Sequence, residues 1–223
     1  MGYLDNLTAD AFLVNEYTSG NLYQTHIGVE VRGNINVREG ALIPSEGKNI
    51  PLENKGYYWC ERKPVQGDFI HFDGTEREVR FYLRIGKDTH LKLQDSIYAE
   101  NLPQRTPAEM DLQASRRSSG SLAVNWKPYS EKGICYRVEV LPQDMNVEQS
   151  FFVSVIQPEG RSELDIKTTT TGEFNKLGEL VPGKTYVVRL TAILYEPGID
   201  RVNDAYSYAN IQAVTYFTRT FVW

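Results

Sequence analysis

Cysteine is scarce in this chain, with Cys60 and Cys135 the only two among 223 residues. A small secreted domain held by disulfides needs more. Two unpaired, partly buried thiols are the expected state, and one bridge between the halves stays open as the alternative. Positive charge is also short: 24 Lys and Arg face 29 Asp and Glu, for a net charge of −5. Cut at Arg105, the two halves carry −3 and −2. Neither has the electrostatic footprint of a nucleic-acid binder, so no nucleic acid is expected as a partner. No run approaches the ~20 apolar residues of a membrane-spanning helix, and no membrane insertion is expected. The opening MGYLDNLTADAF has neither a positive n-region nor an apolar h-region, so it does not read as a signal peptide. Asn6 stands where a myristoylation motif places Ser or Thr.

The motifs of chemistry are missing too. There is no HEXXH, paired Cys-x-x-Cys, Gly-x-Ser-x-Gly elbow, phosphate loop or dinucleotide fingerprint. The three histidines, His26, His71 and His90, all fall in the N-terminal half. Asp68-Phe-Ile-His71-Phe-Asp73-Gly74 comes nearest to a metal set. On a strand, however, Asp68 and His71 point to opposite faces, and Asp73-Gly74 reads as a hairpin turn. Glu76 and Glu78 could in principle serve glycoside hydrolysis; at period two they share one strand face, whose usual meaning is a solvated edge. Cys60, beside Trp59, reads as a core residue. The expectation is a non-enzyme with no catalytic residue, no metal and no cofactor.

What is present points to strands. Tyrosine is frequent, at 14 residues, and apolar residues make up 41%. Tyr, Thr and Val favour a pleated surface. The length suits two domains. The predicted fold class is all-β: two tandem β-sandwich or barrel domains, with residues 1–102 as the first, 103–107 as an extended linker and 108–223 as the second.

In the second domain, period-two runs recur: Ser121–Trp126, Ile134–Leu141, Phe151–Ile156, Leu164–Thr168, Tyr186–Leu194 and Ala209–Thr218. Turn chemistry separates them at Gly120, Gly133, Pro158-Glu159-Gly160, Pro182-Gly183 and Pro197-Gly198. Leu180-Val-Pro182-Gly183-Lys-Thr-Tyr186 resembles the tyrosine corner of fibronectin type III domains, in which a Tyr opens a strand and bonds back to the preceding backbone. Trp126 and Tyr136 are similar to that family's core Trp and Tyr. The resemblance covers about Pro107–Thr218. It implies a β-sandwich that binds through loops and edges, and it names no partner. Two features depart from the pattern: the Tyr195–Tyr208 insertion and the Arg219–Trp223 tail.

The first domain matches no family on its residues. Strands are predicted at Ala11–Tyr17, Leu22–Arg32, Gly56–Cys60, Asp68–Phe72, Glu78–Ile85 and His90–Ala99, with one short helix near the start. Gly33–Lys55, rich in Gly, Pro, Asn and charge, reads as a long loop or a pair of short strands.

Candidate interface residues are the aromatics whose phase or position faces them outward: Tyr57, Tyr58, Tyr195, Tyr206, Tyr208, Phe221 and Trp223. An apolar tail beyond the last strand must dock, either on its own sandwich or on a neighbour. As a whole the chain resembles a bacteriophage virion protein, on the tail or the capsid. That resemblance implies a structural subunit whose partners are other protein subunits in an oligomeric assembly, made in the host cytoplasm. The alternative is a bacterial cell-surface adhesion protein that binds a glycan after its signal is removed.

Overall fold

The computed structural model describes residues 8–18, 22–32, 37–44, 46–55, 58–62, 70–72, 76–85, 87, 90–98, 100–199 and 210–223. The chain divides into two compact units. The first takes the described residues of Met1–Glu16, Gln24–Asn101 and Ser207–Val214. The second takes those of Tyr17–Tyr23, Leu102–Tyr206 and Thr215–Trp223. Neither unit is one unbroken stretch, whereas the sequence suggested a single cut near residue 102.

Eight strands run through the first part of the chain: β1 (Thr8–Thr18), β2 (Leu22–Arg32), β3 (Glu39–Leu42), β4 (Ile50–Asn54), β5 (Trp59–Glu61), β6 (Ile70–Phe72), β7 (Glu76–Arg84) and β8 (His90–Tyr98). They hydrogen-bond in the order β1-β2-β5-β4-β3-β7. β3 and β6 share one edge of β7, and β8 pairs along the other. The stretch read as a loop or two short strands is therefore the β3–β4 pair. β4 bonds β3 through Ile50 and Pro51 and then bonds β5 through Leu52–Asn54. Such a handover lets the sheet fold back over its own core. Ala11, Ile27 and Val29 from one end meet Val79, Phe81, Leu83 and Ile97 from the other. Their alternation puts every second side chain of β7 inward.

Two local devices hold this unit together. Gly28 faces Val14 so closely that a Cβ there would lie 2.5 Å from the valine side chain, so the position needs glycine. Past the Gly28–Cys60 pair, the buried Glu61 takes over from the ladder: its Oε1 accepts the Ile27 N–H at 2.8 Å. The sheet does not close into a barrel among the described residues. Instead the Ala11 N–H of β1 donates to the Asp95 carboxylate of β8 at 2.8 Å.

The remaining elements are α1 (Pro107–Met110), β9 (Gln113–Arg116), β10 (Leu122–Asn125), β11 (Ile134–Pro142), β12 (Phe152–Ser154), β13 (Glu163–Ile166), β14 (Gly172–Asn175), β15 (Thr185–Tyr195) and β16 (Ile211–Val222). One sheet is β13-β10-β9, and the other includes β14-β12-β11-β15-β16. The predicted strands are all here, and β9 and β14 are added. Both are four residues long with mostly exposed or half-buried side chains, so they carry almost no apolar alternation to read. α1 opens with a capping box that involves Thr106, a residue expected in the extended linker. Thr106 Oγ1 accepts the Glu109 N–H at 3.2 Å, and Glu109 Oε2 accepts the Thr106 N–H at 2.8 Å.

The sandwich core is built on the inward residues of β10, β11 and β15. Trp126 and Tyr136 are buried with ring centroids 5.5 Å apart, and the Tyr136 hydroxyl accepts the Tyr129 N–H at 2.7 Å. Gly183, at φ +79°, turns the chain after Pro182, a conformation that favours glycine. Tyr186 then enters β15 and its hydroxyl accepts the Val181 N–H at 2.9 Å. That is the bond a tyrosine corner requires. Leu180 is buried beside it.

The C-terminal residues are not a tail beyond the last strand. β16 runs to Val222, and Trp223 continues the ladder: its N–H donates to the Lys184 carbonyl at 2.9 Å, and its carbonyl accepts the Gly183 N–H at 2.6 Å. Phe221 packs beside Tyr186, with ring centroids 6.0 Å apart. The Arg116 guanidinium, from the opposite sheet, lies 4.6 Å from the Trp223 ring centre. The last residues thus close the open side of their own sandwich between β16 and β9.

Candidate functional site

β11 pairs along its whole length with Tyr186–Leu194 of β15, with Glu139 opposite Arg189. Tyr136, Val138 and Val140 fill the sandwich. The out-of-phase residues Cys135, Arg137, Glu139 and Leu141 are buried as well. The sequence pattern implied one buried face; the structure buries both. The second face holds an ionic cluster. Arg189 clasps Glu139 with Nε 2.7 Å from Oε2 and Nη2 3.1 Å from Oε1. Arg137 Nη2 lies 3.7 Å from Glu139 Oε1, and Arg189 lies 5.0 Å from the Tyr216 ring centre.

Burial alone would raise the Glu139 carboxyl, but the two guanidiniums outweigh it and hold the group below the usual carboxylate range. Burial would likewise lower Arg189, and Glu139 outweighs it, so the guanidinium stays charged. With Glu139 lowered and Arg189 raised, the pair stays charged through neutrality and ties β11 to β15.

A cleft in this unit lies where the chain enters it. Pro103, Arg105, Glu109, Lys127, Pro128 and Tyr129 are among the residues lining a cleft of about 310 Å³. Arg105 Nη1 donates to the Lys127 carbonyl at 2.7 Å, which lays the guanidinium 5.0 Å from the Tyr129 ring centre. Tyr129 is mostly buried, and burial drives its phenol well above the ordinary value against the opposing pull of Arg105. Glu109 is held below the usual range by its hydrogen bonds to the Thr106 backbone and side chain. The lining brings together two cations, carboxylates, two proline rings and the Arg105–Tyr129 pair. Ser130, the one aliphatic hydroxyl among these lining residues, donates to the Glu131 carboxylate at 3.2 Å, and no histidine is among them.

The aromatics singled out in the sequence fall differently. Tyr58, Tyr195 and Phe221 are 4%, 2% and 6% exposed, so they are core side chains and not outward contacts. Tyr58 packs on Phe12, and its hydroxyl donates to Glu16 Oε1 at 3.4 Å. Trp223 is half-buried under Arg116. Tyr57, Tyr206 and Tyr208 lie outside the described residues, as do Asp68, Asp73 and Gly74. Sequence reasoning missed the Arg105–Tyr129 cleft because Arg105 reads as linker. It missed the ionic cluster because Glu139 and Arg189, fifty residues apart, meet only once the β11–β15 register is known.

Both cysteines are buried free thiols. Burial, with Glu16 and Glu61 adding to it, pushes the Cys60 thiol up to about 12, where it is neither nucleophile nor ready metal ligand. Among the described residues no helix is long and apolar enough to cross a membrane.

These features define the class: an all-β protein of two β-sandwich units, the second fibronectin type III-like. No family model matches the chain, and no curated protein matches it. Among solved structures it is similar to a chain of a cytokine receptor complex, at 15% identity over 96% of each chain with a TM-score of 0.33. It is also similar to a segment of two fibronectin type III domains from chicken tenascin, at 13% identity over 89% of this chain and 92% of that one, again with a TM-score of 0.33. Scores at that level carry no argument. The assignment rests on the two sheets, the Trp126–Tyr136 core and the Tyr186 hydroxyl bond.

Proposed function

We propose that the chain is a non-enzymatic structural subunit that docks other protein subunits in a larger assembly. The observation that carries this reading is the Arg105–Tyr129 pair in its cleft. Arginine and tyrosine are among the side chains enriched at interface anchors, and here the arginine is already held in place by the Lys127 carbonyl. A pre-set side chain loses less freedom when a partner arrives. The setting we propose is a bacteriophage virion, on the tail or capsid. Its support is the tandem all-β organisation with free buried thiols. The alternative, a glycan-binding surface protein, loses the Tyr58 ring as a stacking platform because that ring is buried.

The test is the solution mass by light scattering over a concentration series. The expected result is a defined oligomer that Arg105→Ala weakens. A strict monomer at every concentration overturns the proposal.

A further inference from the structure

Cysteine and methionine carry the side-chain sulfur on which oxidants act. The described sulfur residues differ in what can reach them. Cys60 and Cys135 are buried. Met110, the last residue of α1, is 0% exposed. Met145 is 38% exposed, in the loop from β11 to β12, and the two residues before it, Gln143 and Asp144, are exposed as well. Its backbone is also unusual. The φ of Met145 is 59°, in the left-handed region that favours glycine and asparagine. A long apolar side chain there gains neither backbone preference nor full burial. What holds the turn is hydrogen bonding that leaves the thioether out. The Met145 N–H donates to the Pro142 carbonyl at 2.9 Å. The Asn146 N–H donates to Asp144 Oδ1 at 3.1 Å. Asn146 Oδ1 then accepts the Glu148 N–H at 3.1 Å and caps the single helical turn Val147–Gln149.

We infer that Met145 is an oxidation site, a methionine that hydrogen peroxide converts to the sulfoxide without unfolding the chain. The sulfur gains one oxygen and gives up two electrons. The peroxide O–O bond breaks, and its other oxygen leaves as water. The sulfoxide is polar and forms where solvent already reaches, so it needs no partner inside the protein. The hydrogen bonds of the turn do not involve the sulfur and survive the change. At Met110 the same step would set a polar group on a side chain that the fold buries completely. Oxidation therefore turns the β11–β12 loop from apolar to polar at one point and leaves the sandwich beneath it as it is.

The experiment treats the folded chain with hydrogen peroxide, quenches at intervals and follows the Met110 and Met145 peptides by mass spectrometry, with a parallel series in denaturant. In native buffer Met145 is expected to react about tenfold or more faster than Met110, which oxidant reaches only when the structure opens. In denaturant that protection is gone, and the two rates are expected to agree within about twofold. Met145→Leu keeps a side chain of similar size and has no sulfur to oxidise. After the same treatment it is expected to melt at the same temperature as the treated wild type. A Met145 peptide that stays unoxidised in native buffer overturns the inference, as do native rates that match at the two residues. A melting temperature that peroxide lowers in wild type and not in Met145→Leu overturns the tolerance of the fold for the sulfoxide.

Discussion

Replacing Phe221 by alanine tests whether the last five residues are part of the sandwich. The side chain is 6% exposed and packs on Tyr186, the residue whose hydroxyl fixes the corner before β15. Emptying a buried phenylalanine site costs about 3–5 kcal/mol. Phe221 lies at the rim, where neighbours can relax, so the lower end, about 3 kcal/mol, is expected. Its neighbour supplies the control. Val222 is 61% exposed on the opposite face of the same strand, and its replacement by alanine should change stability by no more than about 0.5 kcal/mol. The assay is urea unfolding followed by circular dichroism. With a slope of about 1–3 kcal/mol per molar urea, Phe221→Ala should lower the midpoint of the second unit by about 1–3 M, while Val222→Ala leaves it in place. Equal small effects at both positions would refute the docked strand, because a free tail has no alternation.

Tyr186→Phe keeps the ring and removes only the acceptor of the Val181 N–H, so a loss of about 1 kcal/mol is expected by the same assay, and none if the corner bond is not formed. Glu139→Gln leaves Arg137 and Arg189 buried with their charge uncompensated and should cost about 3–5 kcal/mol. The pH dependence has a definite sign. The folded-state value of Glu139 is depressed, so its stabilisation is fully present above the unfolded value of about 4.3 and is lost as pH falls through the lower folded value. Unfolding measured between neutral pH and acid should show this loss in wild type and a flatter profile in Glu139→Gln. For the thiols, a disulfide-exchange reagent at pH 8 should leave Cys60 unmodified in the folded protein and titrate both cysteines in denaturant; rapid reaction of two thiols in native buffer would contradict their burial.

How much of this was legible in the sequence depended on whether a signal was local. The tyrosine corner was, because Leu180, Pro182, Gly183 and Tyr186 act on one another within seven residues. β2 was predicted over its observed bounds and the strand ends elsewhere fell close, since apolar alternation is itself a local property. β9 and β14 were not, because a short exposed edge strand owes its place to the neighbour it bonds and not to its own residues.

The same distinction governs the candidate contacts. Phe221 and Tyr195 were read as contacts for a partner. Both are buried, because β16 extends farther than its apolar run and β15 is covered on both faces. Where both faces of a strand are covered, alternation no longer separates inside from outside, and charge takes over as the informative mark. Arg137, Glu139 and Arg189 stand out of phase in two long, strongly apolar strands. Buried ionisable residues at such positions are tolerated when they pair, and Arg189 and Arg137 pair with Glu139. On β7 the rule reverses: one face is open and the alternation is clean, so the charged residues Arg80 and Arg84 stand on the outer side of the strand and pair with Glu78 and Glu39.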